Sequence, residues 1–540
     1  MSSTASSSSG PSLDAIIVGA GFSGLYMLYR LRQNGIRARI LEAASGVGGT
    51  WYWNRYPGAR CDIESMQYSF QFDEALQQEW VWTERYASQP EILSYIEHVA
   101  ERYDLKRDIC FDTRIIAASF EEAADQWVVQ TAAGKSISGR FFIMAVGCLS
   151  STISPRFAGH DDFKGSVYHT GLWPHRKVDF ANKRVGIIGT GSSGVQSIPL
   201  IAEEAAHLYV FQRTANYVVP AQNYTLSTEE TTTLKSDYKG FRARAKQRPT
   251  AFLFPFHTDS ALSVSAEERH RRFEAQWRVG GLPFLGAFGD LLTNPDANRL
   301  ITDYWKGKIR DVVKDEGVAE LLTPKGDVFG CKRLCAGTNY YETFNRTNVT
   351  LVDVSGDNAI VRLTPTGLVA GGREYMLDAI VCATGFDAIT GSITRIRIMG
   401  RNGVTIQDKW REGPGTYLGL AVPGFPNMFN MVGPGGPSVL ATMVTCAEQH
   451  GDWIADLLVA MRQGGQTRVE ATSEAEATWA REVADAASAS LRSRCNSWYV
   501  GSNVPGKARV FMPYIGGFPK YVEACDREAA AGYPSFVLAP

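Results

Sequence analysis

The sequence contains two copies of a short apolar strand, a glycine-rich turn and an apolar helix, and this repetition constrains the fold more than any other feature. Residues 15–18 precede a G-x-G-x-x-G motif at 19–24, and "RVGII" precedes the same motif at 189–194. Such a turn lets the N–H groups of a helix N-terminus approach a diphosphate. We therefore predict an α/β fold with two Rossmann-like dinucleotide-binding domains. The loop residues expected to contact the dinucleotides are Gly19, Gly21, Phe22, Ser23 and Gly24 in the first copy and Gly189, Thr190, Gly191, Ser192, Ser193 and Gly194 in the second.

The residue that follows each second strand distinguishes the two sites. Glu42 lies 18 positions after Gly24, where a carboxylate can accept hydrogen bonds from ribose hydroxyls and would repel a 2′-phosphate. The second copy has Arg213 and Thr214 there, and a guanidinium matches a phosphate in charge and shape. Arg213 could also be an ordinary surface arginine at a strand end. The first site suits FAD or NAD and the second suits NADP, so we predict a flavoprotein that binds FAD and NADP.

Two apolar segments, at 141–150 and 379–388, predict where the chain leaves the first domain and returns to it. The second domain is then an insertion in the first. A third segment carries charged, helix-like sequence, in which Ser265 and Glu268 are spaced as a capping box. We predict a disordered leader at 1–13, an FAD-binding domain at 14–149 and 386–540, an NADP-binding domain at 150–220 and 324–385, and a helical insertion at 221–323.

Charge and cysteine content argue against several classes of protein. The 540 residues carry a formal net charge of −1, which gives no attraction to nucleic acid or anionic lipid. The nine cysteines are scattered, and the closest pair, Cys331 and Cys335, has no second pair or nearby histidines to complete a zinc site. The sequence shows neither a signal peptide nor an apolar run near the roughly 18 residues of a membrane span. We expect a cytoplasmic monomer or weak homo-oligomer without metal, nucleic-acid or membrane partners.

Two longer motifs carry a resemblance to a known family. The stretch "GGTWYWNRYPGARCD" at 48–62 fits the pattern G-G-x-W-x-x-x-x-Y-P-G-x-x-x-D, and "FKGSVYHTGLWP" at 163–174 fits F-x-G-x-x-x-H-x-x-x-W-P. With the glycine motifs on either side, these stretches resemble the type I Baeyer–Villiger monooxygenases, which are class B flavoprotein monooxygenases. The resemblance runs from about residue 14 to 537. It is strongest to the phenylacetone and steroid monooxygenase branch, through stretches such as "GPGGPSVLATM".

This resemblance implies an enzyme that uses NADPH and O2 to insert oxygen next to a ketone carbonyl, through a flavin C4a-peroxide. The expected products are esters or lactones, the expected substrates are cyclic, aryl or steroid-like ketones, and sulfoxidation is an expected side activity. By the family motif "FGCKRLC", Arg333 would stabilise the peroxide anion, Asp62 would pair with Arg333, and Lys332 would face the 2′-phosphate of NADP. Arginine suits this task because it remains protonated even when buried.

The resemblance also assigns residues to the flavin, the pocket and the linker between domains. Trp498 would belong to a mobile loop that closes over NADP. His169 and Trp173 would brace the linker rather than perform proton chemistry, and a packed core histidine is physically much the same interpretation. The remaining assignments are Gly49, Thr50, Trp51, Asp62 and Tyr68 at the FAD, Leu149, Ser438, Val439, Leu440 and Met443 in the substrate pocket, and Phe163 and Gly165 in the linker motif.

Some positions depart from the pattern of the branch. Ala336 and Gly337 stand where relatives tend to have an acidic residue, and Cys148 and Cys335 are smaller than the side chains common there. If these positions face the pocket, the lost volume should admit bulkier ketones.

Three alternatives to this function fit a chain with two dinucleotide-binding motifs: another kind of flavin monooxygenase, an NADPH-linked disulfide reductase and an inactive nucleotide-binding scaffold. A flavin monooxygenase that hydroxylates nitrogen or sulfur is the main alternative, and the Asp62/Arg333 pair and the 163–174 motif argue against it as the principal activity. A disulfide reductase would need a redox cysteine pair near the FAD. Because no C-x-x-C or C-x4-C motif follows the first glycine motif, the sequence argues against a reductase.

Overall fold

The computed structural model describes residues 13–326 and 328–540, so the predicted leader lies outside the described residues except for Leu13, which begins the first strand. The strands are β1 (Leu13–Val18), β2 (Ala38–Leu41), β3 (Ile109–Cys110), β4 (Ile115–Glu121), β5 (Gln126–Thr131), β6 (Ser136–Met144), β7 (Ser166–His169), β8 (Arg184–Ile188), β9 (His207–Gln212), β10 (Val218–Pro220), β11 (Cys335–Gly337), β12 (Val349–Asp353), β13 (Ile360–Thr364), β14 (Gly367–Ala370), β15 (Arg373–Met376), β16 (Ala379–Cys382), β17 (Arg397–Met399), β18 (Met428–Asn430), β19 (Arg468–Ala471) and β20 (Phe536–Ala539). The α-helices are α1 (Phe22–Gln33), α2 (Thr50–Trp53), α3 (Glu74–Glu79), α4 (Gln89–Arg102), α5 (Ser192–Glu204), α6 (Thr228–Ser236), α7 (Tyr238–Lys246), α8 (Ala266–Val279), α9 (Pro295–Val312), α10 (Glu316–Leu322), α11 (Tyr340–Thr343), α12 (Gly391–Thr394), α13 (Ile406–Lys409), α14 (Met443–Gln463), α15 (Ser473–Ser488) and α16 (Phe518–Ala530).

Each glycine motif opens from a central strand of its own sheet. The first sheet has eight strands in the order β17-β4-β5-β6-β1-β2-β3, and β18 also pairs with β6. The second sheet has five strands in the order β12-β9-β8-β16-β7, and all of its pairs are parallel. The strands β1 and β8 have neighbours on both sides, and their side chains are mostly apolar and buried, as expected where both faces of a parallel sheet are covered. This arrangement confirms the predicted α/β fold with two dinucleotide-binding sheets.

Two crossings connect the sheets, and they are hydrogen-bonded to each other. The chain leaves the first sheet after β6 and returns to it after β16. The N–H of Ile153 donates to the carbonyl of Gly385 at 3.0 Å, and the N–H of Asp387 donates to the carbonyl of Ser151 at 2.7 Å. Because the crossings form an antiparallel ribbon, a shift of one sheet relative to the other must act on both crossings together.

Residues 221–323 contain the helices α6 to α10, and α8 begins at the cap expected from the sequence. The hydroxyl oxygen of Ser265 accepts a hydrogen bond from the N–H of Glu268 at 3.2 Å. The reciprocal half of the predicted capping box is wrong for this helix. The Glu268 carboxylate instead binds Arg271 and Arg272, each at 2.8 Å, because two guanidinium groups one turn away are stronger donors than a neutral N–H.

The C-terminal helix α14 packs against α1 of the first sheet, and the phenol of Tyr26 donates to the carboxylate of Asp452 at 2.7 Å between them. None of the helices in residues 13–326 and 328–540 combines the length and the apolar character needed to cross a bilayer. The same residues hold no group of three or more His, Cys, Asp or Glu side chains placed to bind a metal ion.

Candidate active site

The first glycine loop has no room for side chains at two of its glycines. Gly19 has a φ of +102°, and a Cβ there would lie 2.6 Å from the carbonyl oxygen of Ala145. A Cβ at Gly24 would lie 1.8 Å from the carbonyl oxygen of Gly19. Gly21 is the N-cap of α1, and no side chain caps that helix. The loop is therefore a close-packed turn that leads into a helix N-terminus without a side-chain cap, the kind of site that binds a diphosphate.

The second glycine loop repeats this geometry. Gly189 has a φ of +106°, and a Cβ there would lie 2.5 Å from the carbonyl oxygen of Ala383. A Cβ at Gly194 would lie 2.2 Å from the carbonyl oxygen of Gly189. Gly191 is the uncapped N-cap of α5, and a Cβ there would meet no atom within 4 Å. The second loop therefore offers the same kind of site as the first.

Glu42 lies directly after β2 and is buried beside the first loop. Its Oε2 accepts a hydrogen bond from the N–H of Ala20 at 2.6 Å, and its Oε1 accepts one from the N–H of Ala44 at 2.8 Å. Burial raises the pKa of Glu42, although these backbone donors oppose the rise. The carboxylate is thus fixed in orientation, and each oxygen keeps capacity for a further donor.

Aromatic side chains from three segments meet next to the first loop. A Cβ at Gly49, the residue before α2, would lie 3.0 Å from the Cα of Gly21. The indole of Trp51 donates to the phenol oxygen of Tyr68 at 3.3 Å, and Phe22 packs edge-on against Tyr68 with ring centres 5.4 Å apart. The residues assigned to FAD from α1, α2 and the Tyr68 segment therefore lie together.

Arg333 and Asp62 form a two-pronged ion pair. Nε of Arg333 lies 2.5 Å from Oδ2 of Asp62, and Nη2 lies 2.9 Å from Oδ1. Nη1 donates to the carbonyl of Val439 at 2.8 Å. Burial alone would lower the pKa of Arg333, but the Asp62 carboxylate outweighs it and the pKa is raised. Arg333 is therefore a fixed positive charge throughout the working pH range.

The apolar residues assigned to the substrate pocket lie in one cluster next to this ion pair. Leu149, Val439, Leu440 and Met443 pack with Trp498 in a small cluster that also contains Cys148, Ala388, Ile389, Tyr499 and Met512. Ser438 is fully buried, and its hydroxyl donates to the carbonyl of Val432 at 3.2 Å. Through its bond to the Val439 carbonyl, Arg333 borders this cluster.

Of the four small residues that depart from the branch, Cys148 belongs to this cluster and the others lie elsewhere. Cys335, Ala336 and Gly337 form β11, which pairs with β10. The Cys335 sulfur lies 3.5 Å from the hydroxyl of Ser192 in the second glycine loop. A Cβ at Gly337 would lie 2.8 Å from a β10 side chain. The β11 residues therefore lie in a packed contact with β10 and the second glycine loop.

The residues assigned to the 2′-phosphate come from two segments of the chain, one directly after β9 and one around Lys332. Arg213 and Thr214 are exposed directly after β9, and the hydroxyl of Thr190 donates to the carbonyl of Thr214 at 3.2 Å. Lys332 and Arg333 line a small cavity together with residues 215–217. The chain that follows Arg213 thus meets the segment that carries Lys332.

His169 connects the two crossings. Its Nε2 lies 3.1 Å from the carbonyl oxygen of Ile153 on the outward crossing and 3.3 Å from the hydroxyl of Thr384 on the return crossing. Its Nδ1 accepts a hydrogen bond from the N–H of Gly171 at 3.0 Å, so the proton of the neutral ring lies on Nε2. Burial lowers the pKa of His169. The ring therefore bridges the outward and the return crossing.

The other residues of the same motif are packing residues. A Cβ at Gly165 would lie 2.4 Å from the ring of Phe163 and 2.5 Å from the carbonyl oxygen of Asp378, so this position excludes a side chain. Trp173 is buried against Tyr168, with ring centres 5.4 Å apart.

Sequence reasoning missed several polar contacts of the Trp498 segment. The ammonium of Lys507 lies 2.6 Å from the carboxylate of Asp387, and the amide of Asn503 donates to the carbonyl of Phe386 at 2.7 Å. These contacts join the segment to the return crossing. Arg492, six residues before Trp498, was also missed, and basic residues close to a proposed lid were the only signal that could have found either cation.

Comparisons with known proteins agree with this geometry. A family model described as pyridine nucleotide-disulphide oxidoreductase matches residues 16–243. A Baeyer–Villiger monooxygenase of Pseudooceanicola batsensis is 43% identical over 532 residues, which cover 98% of this chain and 96% of that protein. A phenazine N-monooxygenase of Lysobacter antibioticus is 40% identical and is covered over 97% of its length, with 97% of this chain matched.

Solved structures are also similar over nearly the whole chain. Oxidised steroid monooxygenase bound to NADP has a TM-score of 0.93 at 50% identity, over 98% of this chain and 99% of that one. Other similar structures contain FAD and NADP together. Because the likeness in sequence and fold extends across both glycine loops and the Arg333 site, this chain belongs to the Baeyer–Villiger monooxygenases, a family of FAD- and NADP-binding flavoproteins.

Proposed function

We propose that the enzyme converts cyclic, aryl or steroid-like ketones into esters or lactones, with NADPH and O2 as co-substrates. The observation that carries this proposal is the Asp62–Arg333 ion pair at the border of an apolar cluster. An oxygen that gains negative charge during addition to a carbonyl needs a fixed cation and little water around it. The ion pair would supply the fixed cation, and the apolar side chains would exclude water.

The first glycine loop fits FAD, because a side chain at Gly19 or Gly24 would fill the turn and the N-terminus of α1 carries no side-chain cap. Glu42 would hold the ribose, and Thr50, Trp51 and Tyr68 would surround the flavin. When bound and reduced by NADPH, FAD supplies the activation of O2.

The second glycine loop fits NADP for the same structural reason. Residues 189–194 would bind the diphosphate, while Arg213, Thr214 and Lys332 would surround the 2′-phosphate. Two cations near that phosphate would favour NADP over NAD.

Within the site, Arg333 would hold its charge beside the developing anion, and Asp62 would keep the guanidinium plane fixed. Leu149, Val439 and Leu440 would orient the ketone and exclude water. Trp498 would close the site from the side of NADP, and His169 would transmit movement between the sheets through the two crossings. In this proposal, Trp498 and His169 help to position the cofactor and the two sheets, and neither residue transfers a proton.

Oxidation of nitrogen or sulfur centres is the second candidate, and a relative at 40% identity is named as an N-monooxygenase. Such chemistry needs no cation to stabilise an anion on oxygen. The ion-paired Arg333 therefore favours ketone oxidation as the main activity and leaves sulfoxidation as a side activity.

A product assay under 18O2 tests the proposal directly. The FAD-loaded enzyme is incubated with NADPH and, separately, with cyclohexanone, acetophenone, progesterone, thioanisole and phenazine. We expect an ester or lactone with one 18O atom from at least one ketone, at close to one product per NADPH. Sulfoxide or N-oxide alone would favour the second candidate, and NADPH consumption that yields only H2O2 would contradict both.

Changing Arg213 to Gln should lower kcat/KM for NADPH by about tenfold or more and leave kcat/KM for NADH nearly unchanged, because a charged hydrogen bond to the 2′-phosphate is lost. Arg362→Gln removes the same charge from an exposed position on β13 and serves as the control. Steady-state kinetics with both nucleotides measure the effect. An equal loss with NADH would contradict a role at the 2′-phosphate.

The domain boundaries, the oligomeric state and the location also belong to this proposal. The pairing of β10 with β11 supports a junction of the NADP-binding domain and the helical insertion near residues 220 and 324. None of the nine cysteines forms a disulfide, which is in keeping with a reducing, cytoplasmic compartment. We infer a monomer or a weak homo-oligomer.

A further inference from the structure

A second arginine lies near Arg333, on the segment that carries Trp498. Arg492 belongs to a short 3₁₀ turn at Leu491–Arg494, and its Nε donates to the carbonyl of Gly330 at 2.8 Å. Gly330 precedes Arg333 by three residues. The Arg492 guanidinium carbon lies 6.0 Å from the ring centre of Tyr499, which packs in the same apolar cluster as Val439. Arg492 therefore lies against the segment that carries Arg333 and close to an aromatic ring of the apolar cluster.

The positive charge of Arg492 has no ionic partner in residues 13–326 and 328–540. No carboxylate there lies within 4.0 Å of its guanidinium nitrogens, whereas the Asp62 carboxylate is already bound to Arg333. Burial, and to a smaller extent the charge of Arg333, lower the pKa of Arg492. A partly buried cation next to another cation is costly unless an anion compensates it.

One of the donors of Arg492 binds a protein acceptor. A guanidinium has five N–H donors, and in this structure the Nε–H is the one that binds a protein acceptor in the described chain. The four N–H groups on Nη1 and Nη2 form the edge that binds carboxylates and phosphates with two parallel hydrogen bonds.

We propose that Arg492 forms an oxyanion-binding subsite beside Arg333, which takes a carboxylate carried by the ketone or a phosphate oxygen of NADP. The subsite rests on the proposed function and deepens it, because it gives the enzyme a preference for an anionic reactant. Arg333 would then act on the reacting oxygen, while Arg492 holds a charged group that does not react.

The test compares cyclohexanone with 4-oxocyclohexanecarboxylate, and it measures binding separately from turnover. Calorimetry on the oxidised, FAD-loaded enzyme gives the Kd of each ketone and of NADP+. The variants are Arg492→Leu, which removes the charge, Arg492→Lys, which keeps it, and Arg494→Leu as the control. Arg494 is exposed on the same turn and forms no ion pair in the described part of the chain.

If the ketone carries the anion, Arg492→Leu should weaken the binding of 4-oxocyclohexanecarboxylate about tenfold or more and leave that of cyclohexanone unchanged. If NADP carries it, the Kd of NADP+ should rise by a similar factor and both ketones should behave alike. Arg492→Lys should retain part of either effect, and Arg494→Leu should match the unmodified enzyme.

Unchanged Kd values for both anions in Arg492→Leu would overturn the subsite, as would an equal loss in Arg494→Leu. If Arg492→Leu fails to fold, Arg492→Gln replaces it as the uncharged variant, and Arg492→Lys must then bind the anion more tightly than Arg492→Gln. Failure of the wider proposal would look different. In that case the unmodified enzyme would form no ester from any ketone, whatever Arg492 binds.

Discussion

Replacing Arg333 by alanine should lower ester formation by a factor of roughly 10² or more while FAD remains bound. The guanidinium is the cation that borders the apolar cluster, and it donates to Asp62 and to the Val439 carbonyl. Removing a donor that stabilises developing negative charge lowers kcat by roughly 10² to 10³. The flavin absorbance of the purified protein reports bound FAD, and gas chromatography of the extracted products reports ester. NADPH should still be consumed, with its electrons leaving as H2O2.

Asp62→Asn tests whether the carboxylate acts through Arg333. Asparagine keeps the shape of the side chain but removes the charge that raises the pKa of Arg333 and fixes its plane. We expect a smaller loss of ester formation than in Arg333→Ala, and little additional loss when both changes are combined, because the two residues act as a unit.

The control is an arginine–aspartate ion pair of similar geometry at the surface. Arg184 binds Asp378 at 3.0 Å, with side chains 45% and 41% exposed, against 26% and 22% for Arg333 and Asp62. Exposed ion pairs contribute about 0–1 kcal/mol, so Arg184→Ala should leave ester formation almost unchanged. Ester formation by Arg333→Ala within tenfold of the unmodified enzyme would contradict the role assigned to Arg333.

The parts of this site that the sequence predicts are those that depend on local chain geometry. Gly19 and Gly24 can be recognised from spacing alone, since a turn that places a helix N-terminus against a strand admits no side chain at either position. This constraint involves only a few neighbouring residues, so the prediction of the turn does not depend on the rest of the chain.

The Arg333 site depends on residues that are far apart in the sequence. Arg333 and Asp62 are separated by 271 positions, and no periodicity or spacing brings them together. The resemblance to a family supplied the pairing, and the structure places the two side chains in contact. Arg492 belongs to no such motif, and only the folded chain places it against Gly330.

The contacts of individual side chains are the least predictable features from the sequence. The Ser265–Glu268 spacing is correct for a capping box, yet Glu268 binds two arginines instead. Gly337 stands where relatives tend to have an acidic residue, yet a β10 side chain leaves no space for a Cβ there. In both cases a neighbouring side chain decides the outcome, and the sequence alone does not show which side chains lie close enough to do so.

Two glycine substitutions should separate the two cofactors. A Cβ at Gly24 would lie 1.8 Å from the carbonyl oxygen of Gly19, and a Cβ at Gly194 would lie 2.2 Å from that of Gly189. Both contacts are with backbone, so the turn must shift to accept even one methyl group. Gly24→Ala should therefore yield protein with little FAD, whereas Gly194→Ala should keep its FAD and lose most of its affinity for NADP+.

Gly307→Ala is the matched control for these changes. Gly307 lies in the middle of α9, is exposed, and a Cβ there would meet no atom within 4 Å. Because alanine is favoured over glycine in a helix by about 1 kcal/mol, this variant should unfold at a slightly higher temperature and keep both cofactors.

The measurements are the ratio of flavin to protein absorbance, the Kd of NADP+ from calorimetry, and the thermal unfolding midpoint. A reversed pattern, in which Gly24→Ala loses NADP+ affinity and Gly194→Ala loses FAD, would mean that Glu42 and Arg213 were assigned to the wrong dinucleotides. Loss of both cofactors in both variants would mean that the two loops are coupled through the sheets. The crossings and His169 would then be the place to look for that coupling, because they connect Ile153 and Thr384 directly.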